Sequence, residues 1–253
     1  MKAIIFAAGL GTRLKPITDT LPKALVPVCG KPLIEHVCLK LKQSGINEAV
    51  VNVHHFADKV EKWAAEQDIM TLKISDERAS LLETGGAVLH ARRYLDGCGS
   101  FLVHNVDIIS NLDLEWFSTQ MRPDSVATLL VSPRNSSRQL LFEPESMKLV
   151  GWHNLQTGEV RSPIAGLNPS ECLSMAFSGI HIMSDSIFDL MGEFLSVHTV
   201  NTSDEPARFS IIDFYIWACA SNDIVGVCAE NLNLLDVGKL DTLALAEEML
   251  NKM

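Results

Sequence analysis

A glycine-rich turn at residues 9–14, with the sequence GLGTRL, has the residue types of a phosphate site. It follows a short apolar run at residues 3–8, which is typical of a strand buried on both faces of a parallel sheet. Backbone N–H groups in such a turn can surround an anion, and Gly9 and Gly11 allow a ligand to approach the backbone closely. Arg13 adds a planar guanidinium that suits phosphate oxygens. The turn therefore predicts a site for a phosphorylated ligand.

A lysine follows the turn inside a proline-bounded segment, residues 21–28, with the sequence LPKALVPV. Pro22 and Pro27 restrict the backbone on both sides of Lys23, which favours one fixed direction for its ammonium group. Taken alone, Lys23 has the ordinary interpretation of a solvated lysine, and the glycine turn that of a simple strand-to-loop connection. The two segments are informative because they occur together, in this order and at this spacing.

Two common phosphate-binding motifs are absent. A dinucleotide fingerprint requires G-x-G-x-x-G with an acidic residue about 20 positions further on, but Leu14 stands at the third glycine and Lys31 lies near the acidic position. A Walker A loop requires G-K-[ST], which this turn lacks. These differences disfavour a nicotinamide dehydrogenase and a P-loop enzyme.

The pair G-x-G-T-R-L and P-K-x-L-x-P-V resembles the signature of the sugar-1-phosphate nucleotidyltransferase family. The resemblance extends over residues 3–250, and it is closest to short members that act on N-acetylmuramate 1-phosphate or mannose 1-phosphate. Five further blocks resemble the family: residues 31–34 (KPLI), 82–87 (LETGGA), 101–107 (FLVHNVD), 177–180 (FSGI) and 235–238 (LDVG).

The resemblance implies a role for individual residues. Catalysis would fall to Arg13, Lys23 and Asp107, and a Mg²⁺ cofactor to Asp107 and Asp236. Sugar-phosphate contacts would come from Asn105 and Gly179. Nucleotide contacts would come from Ala8, Gly9, Gly11, Thr12, Arg13, Lys23, Glu83, Gly85 and Gly86.

Several of these residues also have ordinary structural explanations. An aspartate after a strand is often a helix cap, which is an alternative for Asp107. Glu83 is equally consistent with surface charge, and Gly179 with a strand glycine. The adjacent His54 and His55 suggest a metal pair, but neighbours on a strand point to opposite faces, which favours core and turn positions instead.

The implied reaction joins an NTP and a sugar 1-phosphate into an NDP-sugar and pyrophosphate. We expect UTP with N-acetylmuramate 1-phosphate or a similar hexose 1-phosphate, and GTP with mannose 1-phosphate is the alternative. Val106 stands where the family usually has glycine before the metal aspartate. A β-branched residue resists positive φ and narrows the approach to a metal, so a non-catalytic nucleotide-binding homologue is a further alternative.

Alternating apolar runs and amphipathic segments predict an α/β fold. The resemblance implies a Rossmann-like nucleotidyltransferase fold, with a mixed, mostly parallel central sheet, flanking helices and a small β-rich sugar-binding portion. We expect one domain over residues 1–253, with a nucleotide-binding half at about 1–135, a sugar-binding half at about 136–253 and no C-terminal β-helix. Residues 154–174 and 199–207 are rich in loop-forming residue types and are candidate loops or lids.

The charge of the chain is uneven. The net charge is −10, but residues 1–42 carry seven basic and two acidic residues, a balance of +5. The acidic remainder disfavours nucleic acid and anionic membranes as partners, whereas a small polyanion suits the basic end. Six cysteines without a C-x-x-C pair favour a reduced, cytoplasmic protein, and the sequence leaves a homo-oligomer open.

Overall fold

The computed structural model describes residues 1–198 and 206–252. In these residues the helices, α1 to α8 in chain order, are Leu33–Gln43, Ala57–Glu66, Glu83–His90, Arg92–Leu95, Leu114–Ser118, Ile187–His198, Ile211–Ala218 and Leu240–Leu250. The strands, β1 to β14, are Lys2–Phe6, Pro27–Val28, Lys31–Pro32, Glu48–Val53, Thr71–Asp76, Ser100–Asn105, Ile108–Ser110, Ser125–Ser132, Arg138–Phe142, Leu149–Asn154, Val160–Arg161, Leu173–Ser184, Asp223–Val227 and Leu234–Asp236.

The central sheet is mixed. Strands β6, β1, β4 and β5 lie side by side and parallel, so their carboxyl ends meet at one edge. The long strand β12 then runs antiparallel to β6, β8 and β9, and β9 forms an antiparallel hairpin with β10. The mixed sheet with flanking helices confirms the predicted fold class.

Both faces of the sheet are covered, which explains the continuous apolar run of the first strand. Ala3 and Ile5 belong to a buried cluster with α1, α2 and α8, whereas Ile4 belongs to a second cluster with α3, α4, α6 and α7. The side chains of β1 alternate between these two cores because successive residues of a strand face opposite sides. The apolar run that predicts this strand extends to Ala8, but the strand itself ends at Phe6.

A short antiparallel pair, β7 with β14, connects distant parts of the chain. Asp236 lies opposite Ile108 in this pair, and the N–H of Val237 donates to the carbonyl of Asp107 at 2.8 Å. Backbone pairing therefore brings residues 107 and 236 together although 128 positions separate them.

The helical stretch that follows β5 is two helices, α3 and α4, and the first begins at Glu83. The helix after β12 has 12 residues. The loop expected at 154–174 contains β11, which pairs with β10. Most of the loop expected at 199–207 lies outside the described residues, and the single-domain division stays a prediction.

Candidate active site

A cleft with a volume of about 330 Å³ lies where the parallel strands end. This is the edge at which open α/β sheets bind ligands. Predicted site residues that line the cleft are Ala8, Gly9, Gly11, Thr12, Arg13, Lys23, Glu83, Asn105 and Asp107. Four predicted residues are not in the lining: Gly85, Gly86, Gly179 and Asp236.

The glycine turn leaves β1 and forms the floor of the cleft. A single 3₁₀ turn, Thr12–Leu14, follows Gly11, whose carbonyl accepts hydrogen bonds from the backbone N–H of Leu14 and the hydroxyl of Thr18. The side chain of Leu14 is fully buried, which anchors the turn from below. Arg13 remains exposed beside this anchor, so its guanidinium is free to face a ligand.

Lys23 and Asp107 form an ion pair inside the cleft. Lys23 begins another 3₁₀ turn immediately after Pro22, and only 8% of its surface is exposed. Its Nζ donates to Oδ2 of Asp107, which follows β6. A buried lysine is stabilised by such a partner, and the pair sets a cation next to a carboxylate at the place where a phosphate would arrive.

Asp236 stands beside this pair. Although the residue keeps an exposed surface, partial burial of its carboxyl and then the negative charge of Asp107 raise its pKa, while Lys23 and Arg13 act in the opposite direction. A Cβ placed on Gly238 would lie 2.6 Å from both Oδ1 of Asp236 and Nη2 of Arg13. Gly238, a residue that sequence reasoning did not select, therefore leaves space for Arg13 and Asp236 to approach each other.

Asn105 and Gly179 are neighbours on adjacent strands. Gly179 has a φ of +77° where the pairing of β12 with β8 shifts register, and a Cβ there would lie 2.5 Å from Nδ2 of Asn105. Glycine is the residue that adopts this conformation at little cost. The side chain of Asn105 thus occupies the space that Gly179 leaves, and only Asn105 reaches the cleft.

The 82–87 segment divides between the cleft and the core. Glu83 and Thr84 line the cleft, and Glu83 has a φ of +61° and an ion pair with Arg208 at 3.0 Å. The N–H groups of Gly85 and Gly86 instead donate to the carbonyl of Phe209, at 2.9 and 3.3 Å. The structure gives these two glycines a packing position below the cleft, and their expected nucleotide contacts stay a prediction.

Sequence reasoning missed two buried polar residues, Asn52 and Glu77, that line the cleft from the ends of β4 and β5. Asn52 accepts a hydrogen bond from the N–H of Ala7 at 2.7 Å and donates to Oε1 of Glu77 at 2.9 Å. Oε2 of Glu77 accepts from the N–H of Leu82 at 3.3 Å. This network joins the chain just before the glycine turn to the 82–87 segment. The feature of the sequence that could have identified these residues is a polar residue at the end of a predicted strand.

Glu77 is an acid in an unusual place, since only 2% of its surface is exposed. Burial raises its pKa, while its hydrogen bonds to Asn52 and Leu82 act in the opposite direction. A buried carboxylate requires such donors, because an unpaired charge in the interior is costly. The two donors explain why the residue can remain here.

Val106 does not distort the site in the expected way. It is absent from the positive-φ residues of the described chain, its N–H donates to the carbonyl of Phe6 at 3.1 Å, and its side chain is buried in the core. Because the backbone here needs no positive φ, a β-branched residue fits. Val106 still lines the cleft, as the sequence suggested.

Few protein ligands are available for a metal. Across residues 1–198 and 206–252, no group of three or more His, Cys, Asp or Glu side chains is arranged to hold a metal ion. His54 donates through Nδ1 to the carbonyl of Glu77 at 2.7 Å, which supports its interpretation as a turn residue. Any cation in the cleft would rely on the Asp107 and Asp236 carboxylates and on oxygens of the substrate.

Two further features concern membrane-spanning helices and cysteines. None of the helices in the described ranges combines the length and hydropathy that a membrane span requires. All six cysteines lie within those ranges and are free thiols.

The comparisons with known proteins agree with this geometry. A family model described as "Nucleotidyl transferase" matches residues 2–139. The N-acetylmuramate alpha-1-phosphate uridylyltransferase of Caulobacter vibrioides is 33% identical over 91% of this chain and 89% of its own length. The enzyme of the same name from Neisseria meningitidis serogroup B is 33% identical over 75% of this chain and 78% of its own.

A solved structure supports the fold. A UDP-glucose pyrophosphorylase, determined in complex with UDP-glucose, superposes with a TM-score of 0.73 at 16% identity, covering 99% of this chain and 98% of its own. The family model, the two relatives and the fold all indicate the same family. The chain belongs to the nucleotidyl transferase family, among the enzymes that transfer a nucleotidyl group to a sugar 1-phosphate.

Proposed function

We propose that this nucleotidyltransferase uses UTP, N-acetylmuramate 1-phosphate or a similar hexose 1-phosphate, and Mg²⁺, and forms the UDP-sugar and pyrophosphate. The observation that carries the choice of substrates is the name shared by two relatives, each 33% identical over three quarters or more of the chain. The fold and the cleft support the reaction class and do not distinguish one base from another.

The reaction needs positioning and charge stabilisation more than covalent help from the protein. A phosphate oxygen of the sugar 1-phosphate attacks the α-phosphorus of UTP, and the bond to the β-phosphate breaks as pyrophosphate leaves. The glycine turn offers backbone N–H groups to the triphosphate, and the exposed guanidinium of Arg13 offers further donors for the charge that moves to pyrophosphate.

Lys23 is suited to hold a phosphate near the reacting phosphorus. Its ammonium group is buried in the cleft wall and is oriented by Asp107, so it has a defined direction before substrate arrives. Asn105, at the end of β6, lies on the side of the cleft that β12 approaches, which suits contact with the sugar phosphate.

The two aspartates fit a hard divalent cation. Magnesium is commonly held in proteins by one or two carboxylates together with substrate phosphates. Partial burial and then the negative charge of Asp107 raise the pKa of Asp236, and a nearby cation would favour the charged form of both carboxylates. Bound between them, Mg²⁺ would polarise the phosphate oxygens of the nucleotide. Asp107 and Asp236 are the residues that we expect to hold it.

A matrix of pyrophosphate-release assays tests the proposal. UTP, GTP, ATP, CTP and dTTP are each combined with the 1-phosphates of N-acetylmuramate, mannose, glucose and N-acetylglucosamine, with Mg²⁺ and with EDTA in its place. We expect the highest kcat/KM for UTP with N-acetylmuramate 1-phosphate and no turnover in EDTA.

Other outcomes are equally informative. A preference for GTP with mannose 1-phosphate would replace the proposed substrates. Turnover in EDTA would remove the metal from the proposal. Nucleotide binding without turnover for any pair would favour a regulatory homologue.

A further inference from the structure

A separate cavity, of about 220 Å³, lies between α1 and the strands β6 and β7. The polar residues that matter in its lining are Lys40 and Gln43 of α1, His104 of β6 and Ser110 of β7. Gln43 is exposed, so the cavity reaches the surface there. Its volume is several times the ~30 Å³ share of one water molecule, which leaves room for a small organic ligand.

Two polar side-chain atoms in this lining have no hydrogen-bond partner in the part of the chain that the structure describes. They are Nε2 of His104 and Oγ of Ser110, on residues that are only 1% and 2% exposed. Buried polar atoms are nearly always paired, so two orphans facing one cavity indicate a missing partner there.

The chemistry of that partner follows from the tautomer of His104. Its Nδ1 lies 2.7 Å from the carbonyl of Asn105, which can only accept, so Nδ1 carries the proton. Burial lowers the pKa of His104 to about 4, and the ring is neutral near pH 7. Nε2 is therefore a bare acceptor, and the missing partner must supply an O–H or N–H donor.

Lys40 adds a requirement for negative charge. Its Nζ donates to the carbonyl of Ser110 at 2.8 Å and retains two further donors. Burial lowers the pKa of Lys40 to about 8, and Asp113 acts in the opposite direction. An anion in the cavity would stabilise the charged form of this lysine.

We propose that this cavity binds a small hydroxylated anion, with the anionic group on Lys40 and hydroxyl groups between Nε2 of His104 and Oγ of Ser110. The site is separate from the nucleotide cleft, and it does not depend on which nucleotide the enzyme uses. The apolar part of the lining, which includes Val37, Ile109 and Leu250, limits the ligand to one compact enough to leave few further polar groups unpaired.

A ligand bound at this site should affect the positions of Asp107 and Asp236. His104 precedes Asn105 at the end of β6, and Ser110 ends β7, the strand that pairs with the Asp236 strand. A ligand that contacts both residues thus touches the two strands that flank Asp107, and one of them, β7, pairs with the strand that ends at Asp236. The proposed site is regulatory in character.

The test measures binding by titration calorimetry with four probes: glycerol 3-phosphate, glycerate, glycerol and inorganic phosphate. The first two combine hydroxyl groups with an anion, the third lacks the anion and the fourth lacks the carbon-bound hydroxyls. We expect glycerol 3-phosphate, glycerate or both to bind, and glycerol and inorganic phosphate to bind at least about tenfold more weakly, because each lacks one of the two required groups. If only glycerol 3-phosphate binds, the ligand is a phosphate ester, and if only glycerate binds, it is a carboxylate.

Variants locate the binding. Lys40→Met and Ser110→Ala should each weaken the binding probe, by about tenfold for Lys40→Met, whereas Lys42→Met, an exposed lysine on the same helix, should leave it unchanged. In the wild type, the ¹⁵N signal of His104 Nε2 should shift when the probe is added. Ser110→Ala keeps the test usable if Lys40→Met fails to fold, because the Ser110 hydroxyl has no partner within residues 1–198 and 206–252.

Three results would overturn the proposal. One is no binding of either hydroxylated anion, which would leave the cavity to water. Another is binding that Lys40→Met and Ser110→Ala do not change, which would assign the probe to the nucleotide cleft. The third is glycerol binding as tightly as the anions.

Discussion

The two sides of the nucleotide cleft use polar groups differently. On the side of β4 and β5, Asn52 and Glu77 are buried and hydrogen-bonded to the backbone of Ala7, just before the glycine turn, and of Leu82. On the side of β7 and β14, Asp107, Asp236 and Arg13 retain solvent exposure and carry charge. The first side fixes a shape, whereas the second presents charged groups to solvent. Changes on the charged side should mainly reduce activity, and changes on the buried side should mainly reduce stability.

The largest expected effect is on the charged side. Asp107→Asn and Asp236→Asn should each lower kcat by about 10²–10³, the usual loss when a group aimed at developing charge is removed. Urea unfolding should change little for Asp236→Asn, because its exposed carboxylate lies beside another negative charge. Asp124→Asn, at an exposed position, is the matched control. Near-normal pyrophosphate release from either variant would show that the metal assignment is wrong.

Gly238→Ala should come next. The added methyl group would lie 2.6 Å from groups of both Arg13 and Asp236, so one of them must move. Displacements of about 1 Å can lower turnover about 10²-fold. Gly192→Ala is the control, because a Cβ there meets nothing within 4 Å. Equal kcat/KM for the two variants would indicate that Arg13 and Asp236 need not approach each other during the reaction.

The buried side can be tested through pH. Glu77→Gln should cost about 2 kcal/mol at pH 5, because both oxygens of the acid can accept, protonated or not, whereas the NH₂ of an amide cannot, so Asn52 or Leu82 would lose an acceptor. The folded pKa of Glu77 is raised above about 4.3, its usual value in an unfolded chain. Between the unfolded and the folded pKa of Glu77, the folded state binds more protons than the unfolded state. The difference in the free energy of unfolding between wild type and variant should therefore shrink as pH rises.

Urea titrations at pH 5, 6, 7 and 8 measure this difference. Glu145→Gln, an exposed substitution, should show no such trend. An advantage of wild type that grows with pH would mean that Glu77 is stabilised as a carboxylate, and that its hydrogen bonds outweigh its burial.

The smallest effect should distinguish sugars. Arg134 is exposed, donates to the carbonyl of Phe177 at 2.8 Å and lies close enough to Asp236 to lower its pKa. N-acetylmuramate carries a carboxylate that N-acetylglucosamine lacks, so Arg134→Ala should raise KM about tenfold for the first sugar phosphate only. Arg122→Ala, whose guanidinium donates to the carbonyl of Ser146, is the control. An equal rise in KM for both sugars would remove Arg134 from sugar selection.

The charged side was more accessible to sequence reasoning than the buried side. The glycine turn and Lys23 lie within 15 residues of each other, and Asp107 follows an apolar strand, so local pattern and family resemblance were sufficient. Asn52 and Glu77 become meaningful only when β4 and β5 lie beside β1, which no local pattern specifies. Gly85 and Gly86 depend on Phe209, more than 120 positions away, and this explains why their position below the cleft was not predicted.

The Asn52 and Glu77 network also bears on how tightly a nucleotide can bind. Binding costs free energy whenever loops and side chains must become ordered around the ligand. Here the backbone at Ala7, which leads into the glycine turn, and the segment that begins at Leu82 are joined through buried hydrogen bonds in the protein without a ligand. These two segments lose their conformational entropy when the protein folds and not when a nucleotide binds. More of the free energy of the contacts with a nucleotide therefore appears as affinity.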